Sequence, residues 1–165
     1  MEAKNIMKSR IDITHVNPGI MHAMLGLERQ VAQGGLDSKL LDLVRMRASQ
    51  INGCAYCLDM HSKDARANGE TEQRLYGLDA WRDTPYYSAR EQAALEWTEA
   101  LTLVAETHAP DEVFERVHQQ FSDNELAHLT LAIAAINGWN RLNIAARTVP
   151  GGYVPNTAPA LQATR

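Results

Sequence analysis

The chain has 165 residues, 45% of them apolar and 22% charged, with a net charge of −4. That is the length of one ordinary domain, with enough apolar content to bury a core without disulfide staples. Charges of both signs are interspersed and no apolar run approaches the ~20 residues that span a bilayer, so neither a nucleic-acid partner nor a membrane is expected. The start of the chain, "MEAKNIMKSRIDITHV", has no apolar stretch of the secretory kind, which makes a cytoplasmic location the expectation.

The elements predicted along the chain are helical. Asn17 caps a first helix with Pro18 at its first position, Met21, Met24, Leu25 and Val31 form its apolar stripe, and Gly34 and Gly35 close it. Asp37 or Ser38 caps a second, in which Leu40, Leu41, Val44, Ala48 and Ile51 recur at helical spacing until Gly53 breaks it. A third runs from about Cys54 to Gly69. Ser88 and Glu91 form a capping box that opens a helix through "EQAALEWTEALTLVAET", and Pro110 opens a short one, "PDEVFERVHQQF". A second capping box, Ser122 and Glu125, leads into "NELAHLTLAIAAINGWNRLNIAARTV".

Between Leu126 and Ile136 that last segment is apolar almost all round, as in a helix buried on most sides. A central core helix and a subunit interface both satisfy it. No alternating strand pattern of useful length occurs, so the fold class is all-α. A single domain over residues 1–153 is expected, with residues 154–165, rich in Pro, Ala and Thr, as an extended or disordered tail.

The chemistry concentrates in "QINGCAYCLDMH", which holds both cysteines of the chain. On a helix Cys54 and Cys57 share a face one turn apart, and His61 follows Cys57 at i+4 on that face. The break at Gly53 puts Cys54 in the first turn, where free N–H groups and the helix dipole stabilise an anion and lower a thiol pKa. Three readings fit. A redox dithiol would use one cysteine to attack an oxidant or disulfide and the other to resolve the product, with His61 carrying protons. A zinc site would take Cys54, Cys57 and His61 with a fourth ligand such as Asp42, a distant histidine or water. Two small buried hydrophobes are the plain alternative. Covalent c-type haem is excluded because Leu58, not His, follows Cys57.

The segment "LVRMRASQINGCAYCLDMHSKDARANGETEQRL" closely resembles the core of the AhpD-like alkylhydroperoxidases of the carboxymuconolactone decarboxylase superfamily, and the resemblance runs from about Asn17 to Tyr153. The family signature is a carboxylate followed twelve residues later by C-x-x-C-x-x-x-H; here it falls on Asp42, Cys54, Cys57 and His61. The resemblance implies a single-domain helical array that assembles as trimers or hexamers through buried helices. It also implies peroxide reduction by a Cys54/Cys57 couple that cycles between dithiol and disulfide, with a hydroperoxide as substrate, no cofactor, and an external thiol or disulfide reductase as partner. His61 would carry the proton, with Asp42 orienting or recharging it.

Two positions depart from the pattern. Asp42 stands where the family usually has Glu, one methylene longer, and Tyr56 stands where the best-studied members have His. A tyrosine, with a pKa near ~10, exchanges protons poorly at neutral pH. Adjacency favours activation of Cys57 by His61, with Cys54 completing the pair. A non-redox member of the superfamily acting on a lactone and a zinc-stabilised interaction module remain as alternatives. His15, His22, His108, His118 and His128 read as surface or structural residues, Trp97 and Trp139 as core or interface anchors, Met60 as a wall of the approach to the dithiol, and Asp59 and Asp64 as solvent-facing.

Overall fold

A computed structural model describes residues 7–155. Every regular element among them is helical: α1 (Ile13–Val16), α2 (Pro18–Ala32), α3 (Ser38–Asn52), α4 (Ala55–Ala67), α5 (Glu72–Gly77), a 3-10 helix (Leu78–Asp83), α6 (Ala89–Thr102), α7 (Val104–Thr107), α8 (Asp111–His118) and α9 (Asp123–Ala146). The tail expected from residue 154 lies almost wholly outside the described residues.

The caps set the boundaries. Asn17 Oδ1 accepts from the Gly19 N–H ahead of α2, and Asp37 accepts from the Lys39 and Leu40 N–H groups ahead of α3. Both capping boxes form: Ser88 with Glu91, and Ser122 with Glu125. Gly53 ends α3 in the left-handed region at φ 66°, a conformation that costs a residue with a Cβ about 1–2 kcal/mol. Gly34 serves a different need, because a Cβ there would sit 2.3 Å from the His128 side chain, so α2 turns off directly against α9.

Three departures from the sequence reading have local causes. The helix expected from Ser88 to Thr107 bends at Leu103 (φ −99°, ψ 31°), and the Thr107 hydroxyl donates to the Ala100 carbonyl across the break. A turn at Ile13–Val16 forms because Asp12 accepts from the His15 N–H. Between α4 and α6 the chain is helical again, started by Thr71 accepting from the Arg74 N–H. Arg74 then holds that segment down: it pairs with Glu70 at 2.9 Å and Glu91 at 2.5 Å, donates to the Tyr86 carbonyl, and lies over the Tyr87 ring.

The core is organised about α3 and α9. Leu40 and Val44 of α3 pack with Ala94 and Trp97 of α6, Val117 of α8, and Leu129 and Ile133 of α9. On the other side of α3, Leu43 and Met46 meet Ala65 of α4, Leu78 and Trp81 of the 3-10 helix, and Leu95 of α6. Within α9, Leu126, Leu129, Ala132, Ile133, Ala135 and Ile136 are buried by their own chain, whereas Ala127 and Ala134 remain exposed. The all-round apolar pattern of this helix is thus met by a central core position. α4 lies against both α3 and α9, and that placement brings the cysteines inside.

Candidate active site

Cys54 is the N-cap of α4, with extended backbone (φ −84°, ψ 96°), and its sulfur accepts from the Cys57 N–H at 3.4 Å. It therefore does the work of a capping side chain, in the place where unpaired amides gather and favour negative charge. The inward stripe of α4 is Cys57, His61 and Ala65, spaced i, i+4 and i+8. Both cysteines are free and buried, with sulfurs 2.7 Å apart.

Their surroundings separate the two thiols. The Cys57 S–H donates to Cys54, and the backbone N–H groups of Cys57 and Tyr56 with the Asn140 amide assist, so Cys54 falls to about 7 despite its burial. Cys57 is pushed well above the ordinary thiol range, because it gives its proton to Cys54 and sits buried beside that charge. Asn143 Nδ2 donates to Cys57 Sγ at 3.5 Å.

Cys57 and His61 open on a cavity of about 640 Å³, a size usual for small-molecule sites. Its walls are mostly apolar: Ile11, Ile20, Met21, Leu25, Met60 and Trp139. Cys54 lies behind Cys57 and does not line it. Neither ring nitrogen of His61 makes a hydrogen bond among the described residues, and no fully buried side-chain nitrogen there lacks a partner, so the imidazole faces the open space. Burial, reinforced by the nearby Arg45 charge, lowers the His61 pKa to about 3 and keeps the ring neutral.

Asp42 lies on α3, 5% exposed, and its carboxylate accepts from Asn68 Nδ2 at 2.8 Å, at the C-terminal end of α4. Burial raises its pKa, against the Asn68 hydrogen bond and the Arg45 charge. The carboxylates that do line the cavity are Asp12, Glu28 and Asp64. Glu28 accepts from Arg45 at 2.9 Å and from Trp139 Nε1 at 3.1 Å. Asp64, expected at the surface, accepts from the Tyr153 hydroxyl at 2.7 Å. Asp59 accepts from Lys63 and from the Gly151 N–H, which ties the chain after α9 to α4. Met60 does line the approach to Cys57. Among the described residues no three His, Cys, Asp or Glu side chains converge at metal-ligand spacing.

Sequence reasoning placed the cysteines and His61 together and missed Asn140, Asn143, Glu28 and Arg45. The signal for the first two was present: α9 carries Asn137, Asn140 and Asn143 in a helix that is otherwise apolar, and asparagine is a poor helix former that needs a reason to be there.

An all-helical array with a C-x-x-C at the head of a buried helix is the architecture of the AhpD-like proteins, and the chain belongs to the Carboxymuconolactone decarboxylase family, whose sequence model matches residues 18–100. The uncharacterized protein YdfG of Bacillus subtilis is 41% identical over 139 residues, which is 84% of this chain and 95% of that one. A crystal structure of an Agrobacterium tumefaciens protein of unknown function, provisionally named an AhpD antioxidant defence protein, superposes with a TM-score of 0.85 at 41% identity. The match covers 88% of this chain and all of that one. The debrominase Bmp8 shares the fold at 20% identity and a TM-score of 0.73, over 84% of this chain and 75% of that one.

Proposed function

We propose that the protein is a thiol-dependent peroxidase that reduces organic hydroperoxides through Cys54 and Cys57. The observation that carries this reading is the division of labour between the sulfurs: one thiol made acidic by its partner, the other opening on an apolar cavity that also holds a neutral imidazole.

The resting pair shares one proton. As that proton passes to Cys54, the Cys57 thiolate attacks the terminal peroxide oxygen, the O–O bond breaks, and Cys57 becomes a sulfenic acid. The alkoxide takes the pair's proton and leaves as an alcohol. Cys54, now a thiolate, attacks the Cys57 sulfur, forms the disulfide and expels hydroxide, which takes up a proton and leaves as water. His61, neutral and facing the cavity, accepts from the peroxide O–H and so holds the terminal oxygen toward Cys57. An external thiol or disulfide reductase restores the dithiol. Asp42 acts at a remove, holding the far end of α4 through Asn68. No helix of the described residues is long and apolar enough to cross a membrane, and a cytoplasmic, reducing location suits a couple that must be recycled.

The cavity favours a neutral substrate with an apolar body. Among the described residues lining it Arg45 is the one Lys or Arg, and Glu28 already neutralises it. A lactone bearing carboxylates would find no unpaired cation there, which weighs against the non-redox alternative. Assembly as a trimer or hexamer belongs to the same reading. It is supported by an apolar groove between α2 and α9, at Ile20, Met24, Gly138 and Leu142, that one chain leaves open; light scattering reads the mass directly.

Stopped-flow mixing of reduced protein with an aryl hydroperoxide should consume one equivalent of peroxide and two thiols. An analogue carrying a carboxylate should react at least several-fold more slowly. Cys54→Ser should stop at a sulfenic acid on Cys57, Cys57→Ser should be inert, and His61→Ala should be slowed without losing the thiols. Reaction of all four proteins at one slow rate, that of a free thiol, would refute the assignment.

A further inference from the structure

Two of the three asparagines of α9, Asn137 and Asn140, are joined through Asn52 in a chain whose polarity its hydrogen bonds fix. Asn137 Nδ2 donates to the Ile133 carbonyl at 3.0 Å and to Thr102 Oγ1 at 3.1 Å, which turns its Oδ1 toward Asn52. Asn52 Nδ2 gives one hydrogen to that oxygen at 3.0 Å and the other to Asn140 Oδ1 at 2.8 Å. Asn140 is wholly buried and must therefore present its own Nδ2 inward, where it donates to Ser49 Oγ at 3.0 Å and stands beside the dithiol. Asn143 is oriented separately, since its Nδ2 donates to the Trp139 carbonyl at 3.0 Å. A carboxamide nitrogen has two hydrogens, and the second is aimed at Cys57 Sγ. Among the described residues Cys57 Sγ has two side-chain hydrogen-bond partners, Cys54 and this amide.

Neither amide can lose its proton near neutral pH, and neither can turn over without breaking the bonds that orient it. We propose that Asn143 is a catalytic residue of the dithiol, its N–H holding the negative charge whenever that charge resides on Cys57. The charge reaches Cys57 when that sulfur attacks an oxidant, and again when the disulfide is opened and Cys57 departs as a thiolate. α9 thus supplies to Cys57 a fixed donor that His61, facing the cavity, does not. The consequence for turnover rests on the redox reading above; the hydrogen bond itself does not.

The test uses a Cys54→Ser background, in which Cys57 is the only thiol, and reads its ionisation by thiolate absorbance and by alkylation rate against pH. Asn143→Leu keeps the volume and excludes water while removing the donor. A hydrogen bond to a charged sulfur is strong enough that its loss should raise the Cys57 midpoint by about one unit and slow alkylation at neutral pH roughly tenfold. Asn143→Gln should recover part of the shift. Circular dichroism and thermal melting establish that each variant is folded, and Asn143→Ala replaces the leucine variant if that one is not. An unchanged Cys57 titration in a folded variant overturns the proposal. An Asn143-dependent titration in a protein that ignores hydroperoxides would support it while removing the peroxidase reading.

Discussion

Cys54 and Cys57 are chemically identical in the sequence and unlike in the fold. One caps a helix, receives an S–H and backbone N–H groups, and falls to about 7; the other gives up its proton and rises. Reduced protein should therefore titrate one thiolate with a midpoint near 7, seen in ultraviolet absorbance, and Cys57→Ala should shift that midpoint upward by removing the donor. This asymmetry was only half legible. The helix break and the C-x-x-C spacing point to Cys54 as the acidic thiol, and the structure agrees. Which sulfur meets the cavity depends on α9 and on Met60, Trp139 and the residues before α2, and no local pattern around the cysteines reports those. Asp42 shows the same limit: its spacing from Cys54 is visible in the sequence, but its partner, Asn68, is set by where α4 ends against α3.

At the scale of elements, the capping boxes at Ser88 and Ser122 and the stops at Gly34 and Gly53 were readable because each is a local hydrogen-bonding or steric requirement. α5 and the 3-10 helix were not, since they are too short for a periodicity to show and depend on the contacts Arg74 makes with Glu70, Glu91, Tyr86 and Tyr87. Arg74→Ala should leave those partly buried carboxylates without their cation and cost about 2 kcal/mol, measured by denaturant unfolding. Gly53 joins α3 to α4 and sets the direction in which Cys54 enters its cap. Gly53→Ala should cost about 1–2 kcal/mol, and should raise the Cys54 midpoint if the cap is displaced with it.

For the whole molecule, the buried imidazole couples stability to acid. His61 has a folded pKa near 3 against 6.5 for the ordinary group, so between these values the unfolded chain binds a proton that the folded one refuses. By linkage this contribution is complete above 6.5 and is lost as pH falls toward 3, with a slope of up to ~1.4 kcal/mol per pH unit. Denaturant midpoints measured across that range should decline for the wild type and decline less steeply for His61→Phe; parallel curves would show that the ring is accommodated when charged.

The cavity wall is closed by parts of the chain far apart in sequence. Ile11 and Ile13 come from the segment before α2, and Thr148 and Val149 from the segment after α9, while the Arg10 N–H donates to the Ala146 carbonyl at 2.8 Å where the two meet. Such a chamber cannot exist on a nascent polypeptide until the segment through Val149 has left the ribosome. The helices carrying the sulfurs can form and pack earlier, and docking of the early segment onto the late one is a long loop closure that comes after them. A chain interrupted before Thr148 would thus carry an acidic thiol with part of its enclosure missing, open to electrophiles in solution, and selectivity would arrive only after the sulfurs are already in place.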